Sequence, residues 1–306
     1  MRQAGQVRAA LAARGVAGEL VTYTTTGDRR LDVALTAIGG KGLFTKELED
    51  DLRAGRVDCC VHSLKDLPTE GPAGLTVVAQ LEREDPRDAL VVGPGPAAAG
   101  VVDLAGLPPG ARVGTSSLRR RAQLLALRPD VEVVELRGNV PTRLRKVVEG
   151  QVDAAILAAA GLHRLGAGHQ VSAYLDAPGW LPAAGQGAIA IQVRSDDPRG
   201  GTLFAPFDHA PTSIATRAER AFLAALQGGC QVPIGALAVG HDGRHTLYGM
   251  VGDVAGVRVV RGECALDPSD PERGGVALAE ELRSRGGAEI LAGLRRASDV
   301  PAPQPE

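Results

Sequence analysis

The chain is short of aromatic rings, of cysteine and of net charge, and each shortage excludes something. One Trp, three Tyr and four Phe serve 306 residues, so the cores must be built from Ala, Val, Leu and Ile. The basic stretch from Gly114 to Lys146 holds no ring, whereas grooves for single-stranded nucleic acid interleave aromatics with their basic residues. With 34 Lys and Arg against 36 Asp and Glu, the net charge of −2 draws the whole molecule to neither nucleic acid nor an anionic membrane. Any basic site must be local. Four cysteines (Cys59, Cys60, Cys230, Cys264) show no C-x-x-C spacing and no zinc pattern, which reads as free thiols in a reducing compartment. No metal site is expected. No apolar run approaches the roughly 20 residues needed to span a bilayer. The segment from Met1 to Val16 carries Arg2, Arg8 and Arg14 but no serine and no apolar signal core, so it reads as an amphipathic helix and the chain as cytosolic.

What is present is an alternation of strands and helices. Thr45 to Ala54 reads as a helix capped by Thr45, Val57 to Val61 as a buried strand, and Ala89 to Val92 as another. A domain crossing is expected near residue 87. From Arg112 to Leu157 the order is strand, helix, strand, helix, strand, which predicts a parallel sheet with helices on its faces. Pro178 to Gly187 forms a second crossing, followed by a strand over Ala188–Val193. Two crossings between two α/β lobes predict a hinged cleft. Thr212 to Gln227 predicts a helix capped by Thr212 or Ser213. Three strands and a helix over Val276–Arg285 then make a small α+β domain, and Val300 to Glu306 reads as a disordered tail.

Several constellations carry chemistry. Cys230 sits in Gly228-Gly-Cys-Gln-Val-Pro233 after a helix; the loop alone leaves open a small residue in a turn and a thiol held out for reaction. Gly114-Thr-Ser-Ser-Leu-Arg-Arg-Arg121 and Arg137-Gly-Asn-Val-Pro-Thr-Arg143 each join a strand end to a helix start. Free N–H groups, the helix dipole and arginine favour anions there. Both turns fall at the carboxyl edge of the expected sheet and would form one basic wall for a small polyanion. Val61-His-Ser-Leu-Lys-Asp66 places Lys65 beside Asp66 at a strand end; the pair is either a surface ion pair or a cation with a general acid–base. His62 reads as a hydrogen-bonded structural histidine. Gly39-Gly-Lys-Gly-Leu-Phe44 lacks P-loop spacing and suits a mobile lid, with Lys41 on an anion and Phe44 shielding the cleft.

Taken in order, these segments resemble the porphobilinogen deaminase (hydroxymethylbilane synthase) family. The resemblance rests also on Thr25-x-Gly-Asp28, Glu82-Arg-Glu-Asp-Pro-Arg-Asp88, Ala160-Gly-Leu-x-Arg-Leu-Gly166 and Gly185-Gln-Gly-Ala188. It covers nearly the whole chain. It implies two lobes like those of periplasmic binding proteins: domain 1 over residues 1–86 and 188–208, and domain 2 over 87–181. A hinge at 182–187 and a C-terminal domain over 210–306 complete the set. It implies a dipyrromethane cofactor on Cys230 through a thioether, and head-to-tail joining of four porphobilinogens with loss of ammonia before water releases hydroxymethylbilane. By the same resemblance Asp66 is catalytic. Lys65, Ser63, Asp28, Thr115, Ser116, Ser117, Arg119, Arg120 and Arg137 bind the cofactor. Arg143, Arg164, Gln186, Arg83, Lys41 and Phe44 bind substrate and the growing chain. The family also implies a cytoplasmic monomer in haem biosynthesis.

Each added pyrrole brings two carboxylates, which gives several arginines a reason. Loss of ammonia leaves a cation that a cleft carboxylate would stabilise, and a tethered chain gains proximity. Family members begin with a strand and a Thr-Arg-x-Ser-x-Leu-Ala segment, whereas Met1-Arg-Gln-Ala stands where the following helix begins. A missing first strand is therefore expected, read as a start codon assigned too late. The competing functions are a non-catalytic anion-binding protein on the same two lobes, in which Cys230 has no role, and a nucleic-acid-binding regulator, disfavoured by charge and aromatics.

Overall fold

The computed structural model describes residues 2–23, 45–95, 100–227 and 232–299. Asp28, Lys41, Phe44 and Cys230, the glycine-rich turn before Thr45 and the segment after Asp299 lie outside these residues. Labels number the described elements in chain order.

The first lobe opens with helix α1 (Arg2–Ala12), whose Val7 and Leu11 are buried as the amphipathic reading expects. Helix α2 (Lys46–Arg53) carries Glu47 and Glu49 in its first turn and Arg53 in its last, complementing the dipole. Thr45 stands at its cap position without making a side-chain cap bond. Strand β1 (Cys60–Ser63) starts later than the apolar run suggests, because the chain is still turning after Gly55 (φ +70). Strands β1 and β2 (Leu75–Gln80) pair antiparallel with β8 (Ile189–Arg194), which returns from the second crossing to lie between them. Ile189, Ala190, Ile191 and Val193 of β8 are all buried, as a central strand covered on both faces requires. Helix α1 packs on it, with Val7 and Leu11 meeting Ala79, Ile191, Val193 and Phe204.

The second lobe is a five-stranded sheet in the order β5-β4-β6-β3-β7. Strands β4 (Arg112–Gly114), β5 (Glu132–Val134) and β6 (Ala154–Ala158) run parallel through helices α3 (Leu118–Leu127) and α4 (Val140–Val148). Strand β3 (Asp88–Val92) runs antiparallel to both its neighbours, β6 and the edge strand β7 (Ala173–Leu175), so the sheet is mixed. The reason is connectivity: β3 enters from the interlobe crossing, not from a covering helix. Separate apolar clusters cover the two faces, one around Leu136, Leu144, Val147 and Leu157, the other around Leu90, Val113, Leu124 and Ile156. Short α5 (Ala159–Arg164) follows β6, and α6 (Pro198–Phe204) follows β8.

The third unit stacks α7 (Ala210–Ala225) and α8 (Pro271–Leu282) on an antiparallel sheet of β9 (Ile234–His241), β10 (Arg244–Gly252) and β11 (Val259–Leu266). Phe222, Leu247, Val251 and Leu278 lie in its core. Helix α7 begins before the expected Thr212 or Ser213 cap, with Pro211 in its first turn, a position that suits proline. Thr212 Oγ1 instead accepts from the Arg83 N–H at 3.0 Å and contacts His209 Nδ1 at 2.8 Å, tying the helix to the first lobe. A further helix, α9 (Ala288–Asp299), lies beyond the expected end at Arg285: Gly286 turns the chain at φ +108 into a second helix.

Candidate active site

Strand β1 leads directly into one 3-10 turn, Leu64–Asp66. Its base is pinned by packing. Leu64 and Leu67 are buried with Ala188 and Ala190, and the Leu64 N–H donates to Ala188 O at 3.0 Å. Gly185 (φ +73) passes so close that a Cβ there would stand 3.0 Å from the Leu64 side chain. Lys65 and Asp66 therefore project from a fixed platform. Lys65 Nζ donates to Gln186 Oε1 at 3.3 Å. His62 Nε2 lies 3.0 Å from Gln192 Oε1 inside the first lobe, a structural position. Ser63 Oγ accepts from Gln3 Nε2 of α1 at 2.7 Å.

The electrostatics of this turn are unusual. Asp66 is exposed by surface area, yet the protein packed around the turn disfavours its charge, so its carboxyl is pushed above the ordinary value; Lys65, His62 and Arg143 pull it back. Burial lowers Lys65, with Arg120 and Arg119 repelling it and Asp66 and Asp88 opposing that. Burial likewise lowers Arg143 to about 10, helped by Arg120 and Arg137. Groups from β1, α3 and α4 thus share one field. Perturbation of this kind in a cleft is a mark of function.

The two turns at the carboxyl edge do come together, but not all their arginines face outward. Arg119 and Arg120, 5% exposed each, both bind the fully buried Asp88 at the head of β3, through Oδ2 and Oδ1 at 2.7 Å. Arg119 also donates to Leu181 O at 2.6 Å and Arg120 to Ile156 O at 2.8 Å. Trp180 Nε1 and Gln186 Nε2 donate to the same carboxylate, each at 2.8 Å. Asp88 is therefore a hub joining the second lobe to both crossings. Burial would raise its carboxyl, but the two guanidinium partners hold it well below the ordinary value. A carboxyl lowered in this way contributes stability that is present above its ordinary value and lost only in stronger acid. Asp88→Asn is expected to destabilise the chain by about 3–5 kcal/mol, because two buried guanidinium groups lose their counter-ion. The midpoint of urea denaturation at neutral pH measures this; an unchanged midpoint would contradict the hub.

One atom of the cluster is left over. Arg120 Nε is buried and finds no acceptor among the described residues. A buried donor without a partner is costly, and an anionic ligand would satisfy it. In the turn before α3, Thr115 Oγ1 accepts from the Ser117 N–H at 3.2 Å, and Ser116 Oγ donates to Leu136 O at 2.7 Å. Arg143 Nε donates to Gly138 O at 2.7 Å, which fixes its stem, and Arg137 Nε lies 3.8 Å from Glu135 Oε1. Asn139 caps α4 by accepting from the Thr142 N–H at 3.0 Å.

Three expected site residues sit in or against the crossings. Arg164 Nη2 donates to Gly187 O at 2.6 Å, and burial lowers its guanidinium. Gln186 is almost wholly buried and also donates to Pro86 O at 2.8 Å. Arg83 makes a two-pronged pair with Glu219 of α7, at 2.7 and 3.0 Å, and donates to Gln186 O at 2.8 Å. Its guanidinium braces the third unit. Asp88, Trp180 and Glu219 were not singled out from sequence. Asp88 offered a signal: a charge heading a run as apolar as Ala89–Val92 must be paired.

The chain was compared with known proteins. A family model described as porphobilinogen deaminase, dipyromethane cofactor binding domain, matches residues 1–200, and one described as porphobilinogen deaminase, C-terminal domain, matches 213–284. The porphobilinogen deaminase of Syntrophobacter fumaroxidans is 49% identical over 299 residues, covering 97% of this chain and 95% of that one. The porphobilinogen deaminase of a Roseiflexus species is 53% identical over 270 residues, covering 88% and 87%. Among solved structures, the periplasmic VFT2 domain of Bordetella pertussis BvgS aligns with a TM-score of 0.38 at 18% identity, over 67% of this chain and 75% of that one.

Proposed function

The chain belongs to the porphobilinogen deaminase family, and from that membership we propose how its residues divide the work. The activity is that of a hydroxymethylbilane synthase: four porphobilinogens are joined head to tail with loss of ammonia, and water releases the linear product. The cofactor is a dipyrromethane.

The described residues fit a ligand that carries carboxylates. The observation that carries the reading is the unsatisfied Arg120 Nε beside Lys65, Arg143 and Asp66. Arg120, Lys65, Ser117 and Arg137 would hold the cofactor, with Thr115 and Ser116 shaping the turn that presents them. The bound cofactor supplies the tethered pyrrole to which the first substrate is joined. Cys230, Asp28, Lys41 and Phe44, outside the described residues, are assigned to the cofactor thioether, cofactor binding and the lid by family resemblance alone. Arg119 works through Asp88 as part of the buried frame. Arg143 and Arg164 take substrate carboxylates; desolvation makes each charge–charge contact stronger than it would be in water.

Asp66 holds the acid–base role. Its raised carboxyl lies nearer the range where a proton is both given and taken, and once ionised it faces the positive charge left when ammonia departs. Lys65 Nζ donates to Gln186 Oε1, which ties the amine to the hinge while its charge acts on Asp66. On this reading residues 1–86 and 188–208 form domain 1, 87–181 domain 2 and 210–306 domain 3, with 182–187 as hinge. The protein acts as a cytoplasmic monomer without nucleic acid. Free Cys59, Cys60 and Cys264 support a reducing compartment, and among the described residues no helix is long and apolar enough to cross a membrane.

The reading is tested with porphobilinogen. The purified protein is expected to release four ammonia molecules per molecule of linear tetrapyrrole, a ratio that binding alone does not produce. Binding of porphobilinogen without ammonia release would favour the non-catalytic anion-binding protein.

A further inference from the structure

Helix α7 reaches back across the molecule to the turn that carries Asp66. Arg220 of this helix donates four hydrogen bonds, all to main-chain carbonyls. Nη1 donates to Leu64 O at 3.5 Å and Leu67 O at 3.1 Å. Nη2 donates to Pro68 O at 2.6 Å and Thr69 O at 3.3 Å. Among the described residues no carboxylate pairs with it, and it is largely removed from water. A buried guanidinium without a counter-ion is expensive, and here its donors are devoted to one short loop. The first two carbonyls flank Asp66 on either side. Leu64 O is shared with the Leu67 N–H at 3.1 Å, so the same guanidinium closes the 3-10 turn.

The neighbouring residue does the same for the hinge. Glu219 holds Arg83 and accepts from the Gly185 N–H at 2.7 Å and the Ala238 N–H at 2.9 Å. Two consecutive residues of α7 therefore fix both the Asp66 turn and the crossing beside it. The helix ends at Ala225, five residues before Cys230 in sequence.

We propose that Arg220 is a positioning residue for the reaction: by clamping the carbonyls on both sides of Asp66, it sets the place of that carboxyl from the unit that carries the tethering cysteine. The proposal rests on the role given to Asp66 above. It gives the C-terminal unit a part in catalysis beyond carrying the cofactor. Arg220 touches no reacting atom and acts through the backbone of residues 64–69.

The test compares Arg220→Gln and Arg220→Lys with the parent as holoproteins, with rates expressed per cofactor-bearing molecule counted by intact mass. Arg220→Gln is expected to lower kcat about 100-fold with KM within about threefold, the effect of misplacing a catalytic group by about 1 Å. Arg220→Lys, which restores the charge and up to three donors, is expected to recover part of the loss. The pH profile of kcat is expected to shift, because the Asp66 carboxyl leaves its surroundings. Independently of turnover, amide hydrogen exchange at Leu67 is expected to accelerate at least about 10-fold in Arg220→Gln, with or without cofactor. A kcat per loaded molecule within about twofold of the parent, with an unchanged pH profile, would overturn the proposal even if the melting temperature falls. So would unchanged exchange at Leu67. A parent protein without turnover would instead sink the role of Asp66, while the exchange result would still report on the clamp.

Discussion

Cys230→Ser is expected to yield a protein with the intact mass of the bare polypeptide, no coloured Ehrlich product and no measurable turnover, whereas the parent carries the added mass of two linked pyrroles. The argument is chemical. Thioether formation needs a thiolate or a readily ionised thiol, and a serine hydroxyl at neutral pH is a far weaker nucleophile. No other described cysteine is suited to take over. Burial pushes Cys59 up to about 11 and Cys60 up to about 12, and it raises Cys264 as well. Cys60 Sγ also contacts Leu48 O at 3.4 Å, and Cys264 Sγ contacts Gly274 O at 3.5 Å. With no tether, every addition becomes bimolecular and loses the effective molarity of an attached chain, a factor on the order of 10⁵ M or more. Adduct mass and turnover that survive in Cys230→Ser would show that the cofactor is held elsewhere.

Asp66→Asn is expected to reduce kcat about 10²–10⁴-fold, the range for loss of a positioned acid–base group or of preorganised charge stabilisation. Cofactor mass should persist, because the arginines and Lys65 that hold carboxylates remain. Stability should move the other way. A carboxyl raised above its ordinary value gives its full stability below that value and loses it as pH rises through the folded one. The ionised form of Asp66 is therefore the one the fold disfavours, and the neutral amide removes that cost. The melting temperature of Asp66→Asn at pH 7 is expected to equal or exceed that of the parent, and the difference should vanish in acid. Ammonia release and thermal melting measured on one preparation decide it; a kcat within tenfold of the parent would remove Asp66 from the centre of the reaction.

Much of this arrangement was readable before any coordinates. The turns at Gly114–Arg121 and Arg137–Arg143 were found because strand-to-helix alternation is a local pattern, and a parallel sheet puts such turns on one edge. The Lys65–Asp66 pair was found because β1 ends abruptly before Pro68. What stayed hidden was partner choice. Arg83 counted as a cleft cation from sequence, yet its partner Glu219 lies 136 residues away. Arg119 and Arg120 read as two outward charges, yet Asp88, 31 and 32 residues earlier, takes both. The antiparallel entry of β3 escaped the alternation rule because the crossing that delivers it has no helix. Helix α9 escaped because a glycine pair stops a helix in most settings and bends the chain here.

By itself the sequence determined the family and the reaction, through motifs met in order along the chain, and set a carboxylate beside a lysine at a strand end with several arginines at two helix starts. The strand-end pair and the helix-start arginines follow from residue types at short spacing, the family and reaction from the ordered set of motifs. Only the tertiary structure decided which charges remain available to a ligand. Buried ions must find counter-ions, and the nearest one in space is set by how β3, α3 and α7 pack, not by distance along the chain. The same packing brings Arg220 of the C-terminal unit onto the turn of Asp66.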